Sequence, residues 1–382
     1  MKLLNKIFRF AKKQYVEYNY KQDYDYCAAV FRQRLVKNGI PADEPAEGED
    51  AYIHFWQQFH RRVEPYTYRY FHTLLGTDPR ITPEDLANRY IAPLLNPIRF
   101  RAYYSDKNMY RHYIKPMESL PQSWLYRIMG GRMYCRSNDV WDTVPFDISA
   151  EQLAVKIDSS VMKLVLKPSI DSNSGRGVML FERIDETFTS SVGHLSGKFL
   201  CSYGDNWILQ EAIDQHEYLK QFSKTSINTM RIMTYRSVID DSAMVFAACL
   251  RIGLNGSFVD NLFAGGCFVP IDLKTGRLGK KLFNRYWQTI TEINGIDFLK
   301  SDFVLPFWGQ AVEFAKSIAL QVPHARLIAQ DILIDDNGNP RLIEFNVNDF
   351  DWALAMTCTK NVPFGDKFEE VIEFCLKHKN SI

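Results

Sequence analysis

The segment Ala329-Gln330-Asp331-Ile332-Leu333-Ile334-Asp335-Asp336-Asn337-Gly338-Asn339-Pro340-Arg341-Leu342-Ile343-Glu344-Phe345-Asn346-Val347-Asn348 constrains this chain more than any other. Two apolar runs, 332–334 and 342–343, flank a cluster of turn formers at 335–339, a pattern that predicts a β-hairpin. Asp331 precedes the first run. Glu344 and Asn346 follow the second on one face, because strand side chains repeat every two residues. Folding the hairpin back brings three oxygen donors together. Two carboxylates and a side-chain carbonyl make the hard, all-oxygen set that Mg²⁺ takes when substrate phosphates complete its shell. An ordinary surface hairpin with charged ends has the same signature, so this segment alone leaves both readings open.

Well upstream, Lys163-Leu164-Val165-Leu166-Lys167-Pro168 reads as a short apolar strand, and residues 178–181 as a second one. Between them residues 169–177 spell S-I-D-S-N-S-G-R-G. Such a loop lays successive backbone N–H groups against phosphate oxygens, with Lys167 as a point charge beside them. No Gly-Lys-Ser/Thr opens a helix here and no G-x-G-x-x-G precedes one, so neither a Walker A loop nor a dinucleotide fingerprint is present.

The two segments together resemble the ATP-grasp superfamily, and the residues between them extend the match. Ile208-Leu209-Gln210-Glu211-Ala212-Ile213 resembles the family's hinge strand, whose backbone and acidic residue meet adenine. Asn228-Thr229-Met230-Arg231-Ile232 resembles the strand that brings an arginine to the terminal phosphates, and Leu250-Arg251-Ile252-Gly253 adds a second arginine. Val259-Asp260-Asn261 with Gly265-Gly266 resembles a loop over the substrate, and Asp106-Lys107-Asn108 the Asp-Lys that opens a helix near phosphate. The order holds from about residue 104 to about residue 360. The stretch from Gln215-His216 to Arg231, with the Val-Asp-Asn and Gly-Gly segments, is similar to the sugar-transfer-associated ATP-grasp group in particular.

That resemblance implies an α+β ATP-grasp fold, with two α+β lobes sandwiching ATP, behind a mostly helical N-terminal domain. It implies ATP and Mg²⁺ as cofactors. The nucleotide would be held by Lys107, Lys167, Ser172, Asn173, Ser174, Gly175, Gly177, Gln210, Glu211, Ala212 and Ile213, and the metal by Asp331, Glu344 and Asn346. Arg231 and Arg251 would offset charge during transfer. His216, Asn228, Asn261, Gly265, Gly266 and Asn348 would border the acceptor, with Asp349 and Asp351 nearby. The implied activity is an ATP-dependent carboxylate–amine ligase working through an acyl phosphate, with a sugar-linked carboxylate and an amine as partners in polysaccharide or glycoconjugate synthesis. A kinase that phosphorylates a sugar hydroxyl is the alternative, with Asp349 or Asp351 as general base. A nucleotide-binding protein without catalysis is a third reading, against which the full set of phosphate and metal residues argues.

The 382 residues carry 46 basic and 45 acidic side chains, a balance that gives no pull toward nucleic acid. The N-terminus departs from it. Lys2, Lys6, Arg9, Lys12, Lys13 and Lys21 are interspersed with Leu3-Leu4, Ile7-Phe8 and Phe10-Ala11. This is a basic amphipathic helix that either lies on an anionic membrane as a weak peripheral contact or packs on the domain with its basic face in solvent. The shortness of the apolar stretch favours packing. No apolar run approaches a membrane span of about 20 residues, and no signal-peptide pattern is seen. Seven scattered cysteines with no C-x-x-C argue against a disulfide framework or zinc site and for the cytoplasm, with Cys249 and Cys267 in apolar, core-like runs.

The expected layout is a helical domain over 1–95, a pre-ATP-grasp segment and small lobe over 96–213, and a large lobe with the metal site over 214–382. Helices are expected over 24–36 and 51–71, from Thr82 as N-cap with Pro83 following, and over 107–113, 307–320 and 366–378. Short strands are expected at 98–100 and 133–135, with the small-lobe sheet in 160–213.

Overall fold

The computed structural model describes residues 2–137, 140–170, 175–256, 262, 265–348 and 350–381, with side chains for all of these except 2–13, 16 and 137. Ser172, Asn173, Ser174, Asn261 and Asp349 lie outside the described residues.

Two antiparallel sheets organise the chain. The first contains β1 (Ser123–Arg127), β2 (Met133–Ser137), β3 (Val140–Val144), β4 (Lys163–Pro168), β5 (Met179–Ile184), β6 (Thr187–Ser190), β7 (Gly193–His194) and β8 (Trp207–Glu211), in the order β3-β2-β1-β8-β4-β5-β6-β7. The second contains β9 (Met230–Arg236), β10 (Ala243–Ile252), β11 (Cys267–Pro270), β12 (Leu282–Phe283) and β13 (Thr289–Ile290). A small ribbon of β14 (Glu292–Ile293) and β15 (Ile296–Asp297) precedes β16 (Leu327–Ile334) and β17 (Pro340–Asn346), and the large sheet runs β13-β12-β11-β10-β9-β16-β17. The small sheet therefore begins well before residue 160, since β1 to β3 extend it on the far side of the hinge strand β8.

Alternation explains the small lobe. Leu164 and Leu166 of β4 enter a core with Phe181, Phe188, Trp207 and Leu209, which leaves Lys163, Val165 and Lys167 to the opposite face. The large sheet is covered on both faces. Met230, Ile232, Ala248, Leu250, Ile328 and Ile332 pack with Ala311, Ala315 and Ile318 of the helix Trp308–Leu320. On the other face Met233, Tyr235, Ala247, Cys249 and Ala329 share one core with the N-terminal helices and with the C-terminal helices Trp352–Thr359 and Phe368–His378. Each large apolar side chain so buried contributes about 1.5–3 kcal/mol.

A single helix, Lys2–Lys37, opens the chain. The helix expected over 51–71 is two, Glu49–Trp56 and Tyr66–Leu75, interrupted before Pro65, which has no N–H to continue a ladder. Arg69 rejoins the pair by gripping Glu49 at 2.7 and 2.8 Å. From Glu84 the helix passes through a wide π turn at Ala87–Ile91 before Ala92–Leu95, where Pro93 offers no donor to the preceding turn. Pro83, not Thr82, occupies the N-cap position. The strand expected at 98–100 is instead the start of the helix Ile98–Ser105, for which Pro97 sets the entry; three residues carry too little periodicity to choose between the two. Lys107–Met109 forms a 3-10 turn leading into the helix Tyr110–Tyr113. Cys249 and Cys267 are fully buried, and all seven cysteines are unpaired thiols. No helix among the described residues is long and apolar enough to cross a membrane.

Candidate functional site

The expected hairpin is β16–β17. Asp335 closes its turn by accepting from the N–H groups of Asn337 and Asn339 at 3.1 and 2.8 Å, and Gly338 supplies the left-handed residue at φ 84°. A bulge then sets the register at the other end: Ile332 pairs with Leu342 but Asp331 pairs with Glu344, so Ile343 is the extra residue. Asp331 and Glu344 thus stand directly opposite each other. Like charges in that relation destabilise a sheet unless cations answer them.

Cations do answer them. Arg231, the partner of Asp331 on the neighbouring strand β9, meets it at 2.7 Å (Nε to Oδ1) and 2.8 Å (Nη2 to Oδ2). Arg251 reaches Oδ2 at 3.0 Å from β10, two residues beyond Cys249, which itself pairs with Arg231. Lys107 places its ammonium 3.2 Å from Glu344 Oε2, and Lys167 donates to the Ile343 carbonyl at 3.4 Å. Burial by itself would raise the Asp331 carboxyl, but the two guanidiniums overrule it and hold the group down to about 2. Burial, followed by the neighbouring Lys107, pushes the Lys167 ammonium down to about 8 against the pull of Glu344 and Asp331.

The donor set fits a hard divalent cation. Asp331 and Glu344 face each other, and Asn346, two residues from Glu344 and opposite Ala329, lies on the same side of the sheet. No group of three or more His, Cys, Asp or Glu side chains that could hold a metal exists among the described residues, and a third oxygen donor here would be the Asn346 amide.

The hinge strand differs from expectation in one respect. The Glu211 carboxylate is already engaged: its Oε1 accepts from the Gln122 N–H at 3.0 Å and from Arg341 at 3.1 Å. Arg341 also reaches Asp335 Oδ2 at 3.3 Å and the Leu120 carbonyl at 2.9 Å. It therefore ties the small lobe's hinge to the large lobe's hairpin, a role the sequence reading missed. Its signal was an arginine immediately after a turn that opens with a buried aspartate. Ala212 donates its N–H to the Lys163 carbonyl at 3.0 Å, Gln210 is buried with its amide on Ser123 Oγ, and Ile213 is half-buried. A cleft of about 510 Å³ opens beside the hinge, lined by Lys107, Gln122, Gln210, Glu211, Arg341 and Ile343 among others.

Gly175 and Gly177 end the phosphate-type loop at φ 68° and 77°. A Cβ on Gly177 would press on Pro168 and the Tyr203 hydroxyl at 3.2 Å, and that hydroxyl donates to the Gly177 carbonyl. Lys163 is held in the open by Glu182 at 3.3 Å, whereas Lys167 is buried.

The expected acceptor residues are not all gathered. Asn228 is fully buried and its Nδ2 group donates to Gln215 Oε1 and the Leu219 carbonyl, clasping the 215–228 loop, while its Oδ1 has no partner among the described residues. His216 caps the turn Glu217–Lys220 through Nδ1 and lies edge-on to Phe307. Gly265 takes φ 90° against Leu254, Gly266 is buried, and Asn348 is half-buried just beyond β17. Asp351 caps the helix Trp352–Thr359 by accepting from the Leu354 N–H at 2.9 Å.

A small antiparallel lobe with a lysine before a glycine-bearing loop, facing a large lobe with paired acidic residues on its last hairpin, defines an ATP-grasp protein. The chain belongs to the sugar-transfer associated ATP-grasp family, whose model matches residues 147–360. No curated protein matches the chain. Among solved structures it is similar to an L-amino acid ligase from Bacillus licheniformis (12% identity, 72% of this chain and 48% of that chain, TM-score 0.38). It is also similar to a biotin carboxylase from Campylobacter jejuni (11%, 74% and 48%, TM-score 0.39) and a D-alanine–D-alanine ligase from Bacillus anthracis (11%, 73% and 69%, TM-score 0.38). The chain spans about half the length of the first two.

Proposed function

We propose that this protein is an ATP- and Mg²⁺-dependent carboxylate–amine ligase that works through an acyl phosphate on a sugar-linked carboxylate, in polysaccharide or glycoconjugate synthesis. One observation carries the reading: Arg231, Arg251, Lys107 and Lys167 converge on the Asp331–Glu344 pair between the two lobes. Phosphoryl transfer asks mainly for positioning and charge compensation, and this cluster supplies both.

In this reading Lys107 and Lys167 hold phosphate oxygens and exchange their present carboxylate and carbonyl contacts for them. Asp331, Glu344 and Asn346 would hold a divalent cation, which would supply positive charge against the phosphates. Arg231 and Arg251 remain beside the transferring group and stabilise the charge that spreads over it. The substrate carboxylate oxygen attacks the γ-phosphorus, the bond to ADP breaks, and an amine then displaces phosphate from the acyl carbon, losing a proton as the amide forms. Seven unpaired thiols suit a cytoplasmic setting.

A direct kinase would need a general base beside the acceptor. Asp351 is occupied as a helix cap, which weighs against it in that role. The deciding experiment incubates the protein with ATP-Mg²⁺, uronic acids and amines, with phosphate release followed beside mass spectrometry. Phosphate release that requires both carboxylate and amine, with loss of water from their combined mass, is the expected result. A product heavier by one phosphoryl group and no free phosphate would establish the kinase instead.

A further inference from the structure

The sequence of the helix Lys2–Lys37 changes character partway along its length. Its buried side begins at Tyr20 and continues through Tyr24, Cys27, Phe31 and Leu35, at the three- and four-residue steps of one helix face. Counted backwards at the same steps, that phase falls on Lys13, Arg9, Lys6 and Lys2 in the sequence. Among the described side chains the buried phase reaches back to Tyr20, and Glu17 still meets Arg61 and His60.

The opposite phase holds large aromatic side chains in water: Tyr15, Tyr18 and Tyr26 are 66%, 60% and 70% exposed. Gln22 on the same phase donates to the Tyr18 hydroxyl at 2.6 Å. Continued toward the N-terminus, this phase falls on Ala11, Phe8 and Leu4, flanked by Ile7 and Leu3. Residues 2–16 contain five basic side chains and no acidic one. Apolar residues in line with exposed tyrosines, beside a row of lysines and arginine, form the pattern of a helix lying in a membrane interface. The tyrosines sit at headgroup level and the cations meet anionic lipid.

We infer that the first half of this helix, together with Tyr15, Tyr18 and Tyr26, docks on the surface of an anionic phospholipid bilayer. Charge complementarity selects that occupant: five cations with no acidic residue among residues 2–16 suit a negative leaflet and would repel a second copy of the same helix laid alongside. The inference is independent of the ligase reading, and it reverses the weighting that the short apolar stretch suggested.

Sedimentation of the full chain with phosphatidylcholine vesicles, with and without phosphatidylserine, tests it. The expected result is pelleting with the serine-containing vesicles at low salt, reduced as salt screens the cations. Lys6→Glu with Arg9→Glu should weaken binding about tenfold or more. Phe8→Ser, or Tyr15→Ser with Tyr18→Ser, should weaken it at every salt concentration. None of these variants touches the nucleotide site, so thermal unfolding and ATP turnover in the absence of vesicles should match the parent. Absence of pelleting at low salt, or equal pelleting of the parent and all variants, overturns the inference. So does a dimer in sedimentation velocity that Phe8→Ser dissociates, which would make a second copy the occupant.

Discussion

Arg231 and Asp331 face each other across β9 and β16 and meet through two parallel bonds of 2.7 and 2.8 Å. A carboxylate so held is both a metal-ligand candidate and the counter-charge of a buried guanidinium. Asp331→Asn should therefore abolish ATP turnover and also lower stability by about 3–5 kcal/mol, the usual cost of breaking one side of a buried pair. Glu344 is more open and pairs with Lys107, so Glu344→Gln should abolish turnover at a much smaller stability cost. Turnover with limiting Mg²⁺ and denaturant unfolding check the two effects separately. Undiminished turnover in both variants removes the metal assignment.

Lys167→Ala should weaken nucleotide binding by about tenfold or more, and Lys163→Ala hardly at all, since Lys163 is half exposed in a surface pair with Glu182. The Lys167 ammonium, pushed down to about 8 from 10.5, is partly neutral at pH 8–9 in the empty protein. Its neutral form favours folding, so its contribution to stability is full above pH 10.5 and is lost as pH falls through 8. Phosphate beside it restores the charge, so ADP binding at pH 8.5 should take up a proton. Calorimetry in buffers of different ionisation enthalpy reads this directly, and Lys167→Ala should erase it. Equal losses for the two lysines would show that the wrong one has been chosen.

Arg341→Ala releases the Glu211 carboxylate and the Asp335 turn at once. Glu211 is partly accessible, and the buried Asp335 keeps the N–H groups of Asn337 and Asn339, so the loss falls on positioning more than on stability. The expected outcome is a KM for ATP raised about tenfold with kcat changed much less. Arg341→Lys, which cannot span both carboxylates, should recover little. A fall in kcat with KM unchanged would place Arg341 in the chemistry instead.

Glu64 sits fully buried in the helical region, with its carboxylate on the Thr67 N–H and hydroxyl. Burial, with Asp85 nearby, raises the group from 4.5 to about 7. A raised acid contributes stability that is full below pH 4.5 and is lost as pH rises through 7. Melting temperature should therefore drop between pH 5 and pH 8, and Glu64→Gln should flatten that drop. A profile unchanged by the substitution removes Glu64 from the account.

The parts legible in the sequence were those written in local chemistry. Asp335, Gly338 and Asn339 specify a turn wherever they fall, so the hairpin was readable without its neighbours. The Lys-Pro end of β4 and the apolar run of β8 were readable for the same reason. The bulge at Ile343 was not, because only pairing against Asp331 shows which strand carries the extra residue. The bonds of the Asn228 Nδ2 group to Gln215 and the Leu219 carbonyl were not readable, because they depend on how the 215–228 loop closes. Arg341 was passed over because its three partners come from residues 120, 211 and 335, which no spacing rule connects. The exposed tyrosines of the first helix became informative only once the buried phase had been located.

Asn96 is buried at the end of the helical region, and its one amide group donates to the carbonyls of Leu327 and Val347 and accepts from the N–H groups of Arg326 and Leu327. Those four bonds stitch the start of β16 to the chain just past β17, the hairpin that carries the acidic pair. With the core shared between the N-terminal helices and β9 to β11, this makes residues 147–360 an incomplete cassette. Excised on its own, that stretch would bare Tyr235, Phe246 and Trp352 and leave the hairpin's open end unpinned. Any shortened form made for crystallisation or assay should keep the chain from about Tyr20 onward and can dispense only with what precedes it.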